Sequence, residues 1–200
     1  MRKADLQKNH QWFEGVLDRY RDFSGRLLRA RRNVRRQDKK EIVEATALKL
    51  CAYWESFVDQ ELLDCVNINS SKLAEWLDVK PTNLNIEMSR AILFREGYLD
   101  FKSVGALKAF AKRVLAQDVN PFRLIQPSTA IKIDELFVIR NYLVHRSFAA
   151  KRSLRKMYRR NYRMRYFREP GTFLVAHGGR RLDTYRRALV DASQRMAQII

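Results

Sequence analysis

Arg140, Asn141 and His145 stand together in "IRNYLVHRS", residues 139–147, where residue type and spacing most invite chemistry. A histidine has an ordinary pKa of about 6.5, so it can take and return a proton near neutrality. A guanidinium holds phosphate oxygens through a planar fork of N–H donors. Together they suit cleavage of an RNA phosphodiester by the neighbouring 2′-hydroxyl, with His145 moving the proton and Arg140 clamping the anion. On a helix, Asn141 and His145 are four apart and share a face, so the asparagine amide can bond one ring nitrogen and fix the tautomer. Arg140, five before His145, lies about 140° round the helix and reaches in from the adjacent face. With three histidines and 27 arginines in the chain, this spacing alone carries little weight. The plain alternative is a partly buried His145 satisfied by a carbonyl and a surface Arg140. The residues by themselves leave the two readings level.

The next stretch, "RSFAAKRSLRKMYRRNYRMRYFR" (146–168), contains ten Lys or Arg, no acid, and interleaved Tyr158, Tyr162, Tyr166 and Phe167. Cations neutralise backbone phosphates, and aromatic faces stack on unpaired bases. Arg146, Lys151, Arg152, Arg155, Lys156, Tyr158, Arg159, Arg160, Tyr162 and Arg163 are therefore candidate RNA contacts leading to His145. The alternative is a solvated helix face whose tyrosines pack inward. A second basic run, "RLLRARRNVRRQDKK" (26–40), has no aromatics and reads as a general phosphate-attracting or solvated face. His10 and His177 lack a carboxylate or cysteine at ligand spacing and read as bystanders. With no Walker loop, no HExxH and no paired carboxylates, no metal or cofactor is expected.

The whole chain is basic. Its 200 residues carry 40 Lys and Arg against 22 Asp and Glu, a net charge of +18. An arginine-led surplus favours nucleic acid over an anionic membrane surface or an acidic protein partner. Cys51 and Cys65, fourteen apart in a helical stretch, would sit about 20 Å apart and fit no zinc pattern. They read as small buried hydrophobes in a reducing compartment. No apolar run approaches a membrane span, and "MRKADLQKNHQ" lacks a secretory apolar core, so a cytoplasmic protein with no membrane partner is expected.

Seven glycines and four prolines leave long uninterrupted stretches, which favours an all-α fold over one domain, residues 1–200. Helical recurrence runs from Leu6 to about Arg35 through Phe13, Leu17, Tyr20, Leu27 and Leu28. Asp38 and Glu41 stand in capping-box order before a second helix. That helix has Ile42, Ala45, Leu48, Cys51, Ala52, Phe57, Val58, Leu62 and Cys65 on its expected inward stripe. A short helix and a proline-marked loop follow, then helices over 86–98 and 103–117, the latter capped by Ser103. A two-proline linker leads to the helix carrying Arg140 and His145, and a last helix spans about Leu182 to Ala197. Between them, 146–179 reads as a basic, aromatic segment or insertion. Its alternation and "EPGT" predict a small β-hairpin near 162–177, against a competing helix continued to about Arg168.

"IDELFVIRNYLVHR" resembles the signature helix of the HEPN superfamily: an arginine, a polar residue that is often asparagine, three variable residues, then histidine. Arg140, Asn141 and His145 match position by position. "NPFRLIQPSTAIKIDELF" is similar to the approach to that helix in HEPN ribonuclease subgroups, and "WESFVDQEL" to the long helix before it. The layout match covers about residues 10–150, the specific motif 133–146. The family commonly has glycine after the motif histidine, where this chain has Arg146. The resemblance implies an up-and-down helical bundle that dimerises by apposing two signature helices. Each chain would lend an Arg and a His to one cleft for metal-independent RNA cleavage. Glu55 is read as an outward salt bridge rather than a lining of that cleft. Family members serve as toxins controlled by an antitoxin, act in antiviral defence, or are non-catalytic binding modules. The expected partners are therefore RNA, a second copy of the chain and an antitoxin or regulatory protein. A basic helical scaffold for an acidic partner is a third reading.

Overall fold

The computed structural model describes residues 3–29, 34–80, 86–94, 101 and 103–199, and over them the protein is all-α. Nine α-helices occur among the described residues: α1 (Lys3–Arg29), α2 (Arg36–Ile68), α3 (Ser71–Leu77), α4 (Ile86–Leu93), α5 (Val104–Val114), α6 (Pro127–His145), α7 (Phe148–Tyr162), α8 (Pro170–Val175) and α9 (Arg180–Met196). Short 3-10 turns at Gln117–Val119 and Pro121–Leu124 join α5 to α6. Residues 30–33 of the basic run 26–40, the loop at 81–85, and the expected helical residues 95–98 lie outside the described residues, as do the side chains of Leu27 and Leu28.

α2 is the central element, packed against α1, α4, α6, α8 and α9. Having neighbours on several sides, it buries more than one stripe. Val43, Ala47, Leu50, Cys51, Trp54, Phe57, Val58, Leu62 and Cys65 are buried, together with the polar Thr46, Glu61 and Asp64. Ala45 and Ala52, expected inside, are exposed, and Ile42 and Leu48 are only half-buried. Exposing a methyl costs little, so alanine follows whichever face its larger neighbours leave. Phe13 of α1 stacks on Phe57 with ring centroids 4.5 Å apart. The predicted cap is also displaced. Arg35 occupies the N-cap of α2, and Asp38, at the third helical position, accepts from the Arg35 backbone N–H at 3.3 Å. Ser103 caps α5 as expected, its Oγ accepting from the Ala106 N–H.

The hairpin expected near 162–177 does not form, and no strand occurs among the described residues. α7 closes at Arg163, in the left-handed region with φ 51°, and the Met164 N–H donates to the Tyr158 carbonyl, a Schellman closure. "EPGT" then starts α8 instead of a turn. Pro170 takes an opening helical position, where its missing N–H costs nothing, and the Gly171 N–H donates to Glu44 Oε1 at 2.6 Å. A Cβ at Gly171 would stand 2.6 Å from the Lys40 Cβ. This glycine serves a close approach of α8 to α2, not a positive φ. The alternation that mimicked a strand comes from Tyr162, Met164 and Phe167, which lean on the core from the end of α7 and an irregular connection.

Candidate functional site

α6 starts at Pro127, whose fixed φ suits the first helical turn, and it buries Ile133, Leu136, Ile139 and Tyr142. Its opposite face leaves Ile131, Asn141, Val144 and His145 exposed. Arg140 lies between the two faces. Its guanidinium, 22% exposed, approaches Glu55 of α2, 18% exposed, at 3.7 Å. Glu55 is thus not the outward pair that the sequence implied but a largely buried partner of the motif arginine. The cluster continues inward. Burial, then the Glu55 charge, pushes the Cys51 thiol pKa upward against the opposing pull of Arg140. Burial, then the same Glu55 charge, raises the Asp59 carboxyl to about 6.

His145 is the last residue of α6 and is exposed. Among the described residues no hydrogen bond joins Asn141 to it, so the predicted tautomer lock is not made within one chain. Arg146 then turns the chain in the left-handed region, φ 48°, with its N–H donating to the Tyr142 carbonyl. Glycine adopts that conformation freely and arginine does not, which gives a physical reason for glycine to follow such a histidine. Here Arg146 is held by Glu169 at 3.2 Å and Glu44 at 3.4 Å, and lies over the Tyr142 ring at 5.2 Å. The Tyr142 hydroxyl donates to Glu169 as well. Arg146 therefore has two carboxylate partners of its own before any phosphate arrives.

Ser147 caps α7, its Oγ accepting from the Ala150 N–H, so α7 begins almost at once after α6 and packs back on it. Lys151, Arg152, Arg155, Lys156, Arg159, Arg160 and Arg163 are all exposed, and no acid interrupts them. The two candidate stacking tyrosines are not at that surface. Tyr158, 1% exposed, packs on Phe173 at 4.4 Å. Tyr162 donates to buried Glu135 at 2.6 Å. The aromatic faces that reach solvent beside the cations are Phe148 and Tyr166, 84% and 82% exposed. A signal for this was present: Leu154, Tyr158 and Tyr162 recur every four residues and mark the buried face.

Two buried polar clusters escaped the sequence. Glu135 of α6, 2% exposed, accepts from Lys132, Asn161, Tyr162 and Tyr185, tying α6 to α7 and α9. Burial works against the Lys132 charge, but its hydrogen bond to Glu135 and that carboxylate's field win and raise its pKa. The second centres on His10, read as a bystander. Its Nε2 lies 3.1 Å from Glu61 and its Nδ1 2.9 Å from the Ser193 Oγ, while Asn9 donates to the other Glu61 oxygen. Serine, histidine and carboxylate thus follow one another, but Ser193 and Glu61 have no exposed surface, so no substrate carbonyl reaches the hydroxyl. The cluster ties α1, α2 and α9. His177, in contrast, is exposed in the turn before α9.

Among the described residues no group of three or more His, Cys, Asp or Glu is arranged to hold a metal ion, and no helix is long and apolar enough to cross a membrane. Cys51 and Cys65 are free and buried. No protein-family model matches the chain, and no curated protein or solved structure matches it.

Proposed function

We propose that the protein is a metal-independent endoribonuclease of HEPN type, acting as a homodimer with a toxin or antiviral-defence role. One observation carries the reading: the motif histidine stands exposed at the end of α6 beside Asn141 and Val144, with Ile131 exposed farther along the helix, and the acid-free cationic face of α7 begins just beyond it. An exposed stripe mixing aliphatic side chains with an amide and an imidazole is suited to a second copy of itself across a two-fold axis. Such pairing would bring two Arg140–His145 pairs around one cleft. In that cleft His145 takes the proton of the RNA 2′-hydroxyl as the 2′-oxygen bonds to phosphorus and the bond to the 5′-oxygen breaks. The 5′-oxygen leaves with a proton from water, giving a 2′,3′-cyclic phosphate and a 5′-hydroxyl, and His145 then returns its proton to solvent. Arg140, steadied by Glu55, neutralises the crowded phosphate oxygens. The α7 cations hold the flanking strand, with Phe148 and Tyr166 as stacking surfaces.

The ion pair of Arg140 with Glu55 favours a second reading, a non-catalytic HEPN-like module that binds nucleic acid or protein, since an arginine already matched by a carboxylate attracts phosphate less. Incubation of purified protein with single-stranded RNA in EDTA separates the two. Cleavage by the wild type, lost in His145→Ala and Arg140→Ala while RNA is still bound, supports the ribonuclease. Equal cleavage by wild type and His145→Ala sinks it, and salt-sensitive binding without products favours the module.

A further inference from the structure

A second cationic surface lies away from α6 and α7, where α3, α5 and the 3-10 turns meet. Lys72, Lys108, Lys112 and Arg123 line a groove of about 820 Å³ together with Gln117 and Asn120; among the described residues no carboxylate lines it, and Lys72 pairs at its edge with Glu75 of its own helix at 2.7 Å. The four cations come from three separate segments, so the fold has gathered them; they are not one helix's solvated face. Lys108 is fixed at the wall, its Nζ donating to the Ile125 carbonyl at 2.5 Å. Asn120 is buried, and its Oδ1 has no hydrogen-bond partner among the described residues. Rotation about its last torsion offers a bound group either a donor or an acceptor. Trp76 is one helical turn beyond Lys72 on the same face of α3, 47% exposed, with the Arg113 guanidinium 5.9 Å from its ring.

We infer that this groove binds the phosphates of a ribonucleotide, either free as a nucleoside polyphosphate or as a unit of an RNA strand. Four converging cations, of which only Lys72 has a carboxylate partner among the described residues, match a chain of phosphates better than an isolated anion. The polar amide of Asn120 suits a sugar hydroxyl or a base edge, and the exposed Trp76 face suits a base. The inference does not depend on cleavage by His145, and it concerns a different face of the molecule.

The test uses the whole chain and two fluorescent probes, a labelled nucleoside triphosphate and an eight-nucleotide 2′-O-methyl RNA that no 2′-hydroxyl chemistry can cut. Binding is read by anisotropy for the wild type, for Lys112→Glu/Arg123→Glu in the groove, and for Arg155→Glu/Arg159→Glu on α7. All four positions are exposed, and circular dichroism checks the fold. Lys112→Gln/Arg123→Gln is the substitute should charge reversal unfold the protein. The groove variant is expected to weaken at least one probe about tenfold or more, with inorganic tripolyphosphate competing for the same site. The α7 variant is expected to leave triphosphate binding within about threefold. Loss for the triphosphate alone identifies a free nucleotide as the ligand, and loss for the oligonucleotide alone identifies the RNA strand. No saturable binding of either probe, or unchanged affinity for both in the groove variant, would overturn the inference.

Discussion

Arg146 offers the sharpest check on the geometry around the motif histidine, because strain and attraction oppose each other at one residue. Its φ of 48° costs a residue with a Cβ about 1–2 kcal/mol relative to a relaxed conformation. Against this stand two ion pairs, to Glu169 and Glu44, on a side chain 51% exposed. At that exposure each is worth about 0–1 kcal/mol, and the contact over the Tyr142 ring adds about 0.5–1 kcal/mol. Arg146→Ala removes the attractions and keeps the strain, so it should lose about 1–2 kcal/mol. Arg146→Gly removes both and should fall within about 1 kcal/mol of the wild type, its greater unfolded-state entropy included. The glycine variant is thus expected to melt about 2–4 °C above the alanine variant, the shift that about 1 kcal/mol gives a chain of this size. Thermal melts of the three proteins at low and high salt measure this. Salt should narrow the advantage of the wild type over the glycine variant, since only the ion pairs are screened. An alanine variant as stable as the glycine variant would refute a left-handed turn at this position.

Two further predictions concern buried charge. Glu135→Ala strands four donors around a vacated site and should cost about 2–4 kcal/mol in urea unfolding, whereas Glu135→Gln, which keeps one acceptor, should cost about half as much. A loss below about 1 kcal/mol for the alanine variant would mean that Glu135 does not hold α6, α7 and α9 together. Asp59, with its pKa raised to about 6, is more readily protonated folded than unfolded, so its contribution is fully present below its unfolded pKa and fades as pH rises through 6. Asp59→Asn should therefore stabilise the protein at pH 8, by about 1–2 kcal/mol after allowance for the part of the side chain that faces solvent, and by nothing near pH 3. Unfolding curves at the two pH values test it, and an equal effect at both would contradict the burial of an ionised carboxylate.

The helices were legible because their signals are local. The recurrence of Phe13 and Leu17, the cap at Ser103 and the last helix from about Leu182 all act within one or two turns, and each sits where the pattern puts it, whereas Pro127, read as linker, opens α6. "EPGT" misled for the opposite reason. Proline opens a turn and a helix equally well, and what chose the helix was Glu44, 127 residues earlier in the chain, accepting from the Gly171 N–H. The tyrosines of α7 divide in the same way. Their four-residue spacing is written in the chain, but whether that stripe faces base or core depended on the presence of Glu135 and Phe173 beneath it.

The sequence by itself determined the all-α class, the cationic surplus, and the placing of Arg140, Asn141 and His145 on one helix, since helical propensity, charge and i, i+4 geometry need no distant partner. Only the tertiary structure decided the rest. It set Arg140 against Glu55, left His145 in solvent, joined His10 to Glu61 and Ser193, and drew Lys72, Lys108, Lys112 and Arg123 around one groove. These are contacts between segments far apart in the chain. Each depends on where the core places a backbone, and a side chain carries no local trace of the partner it will meet.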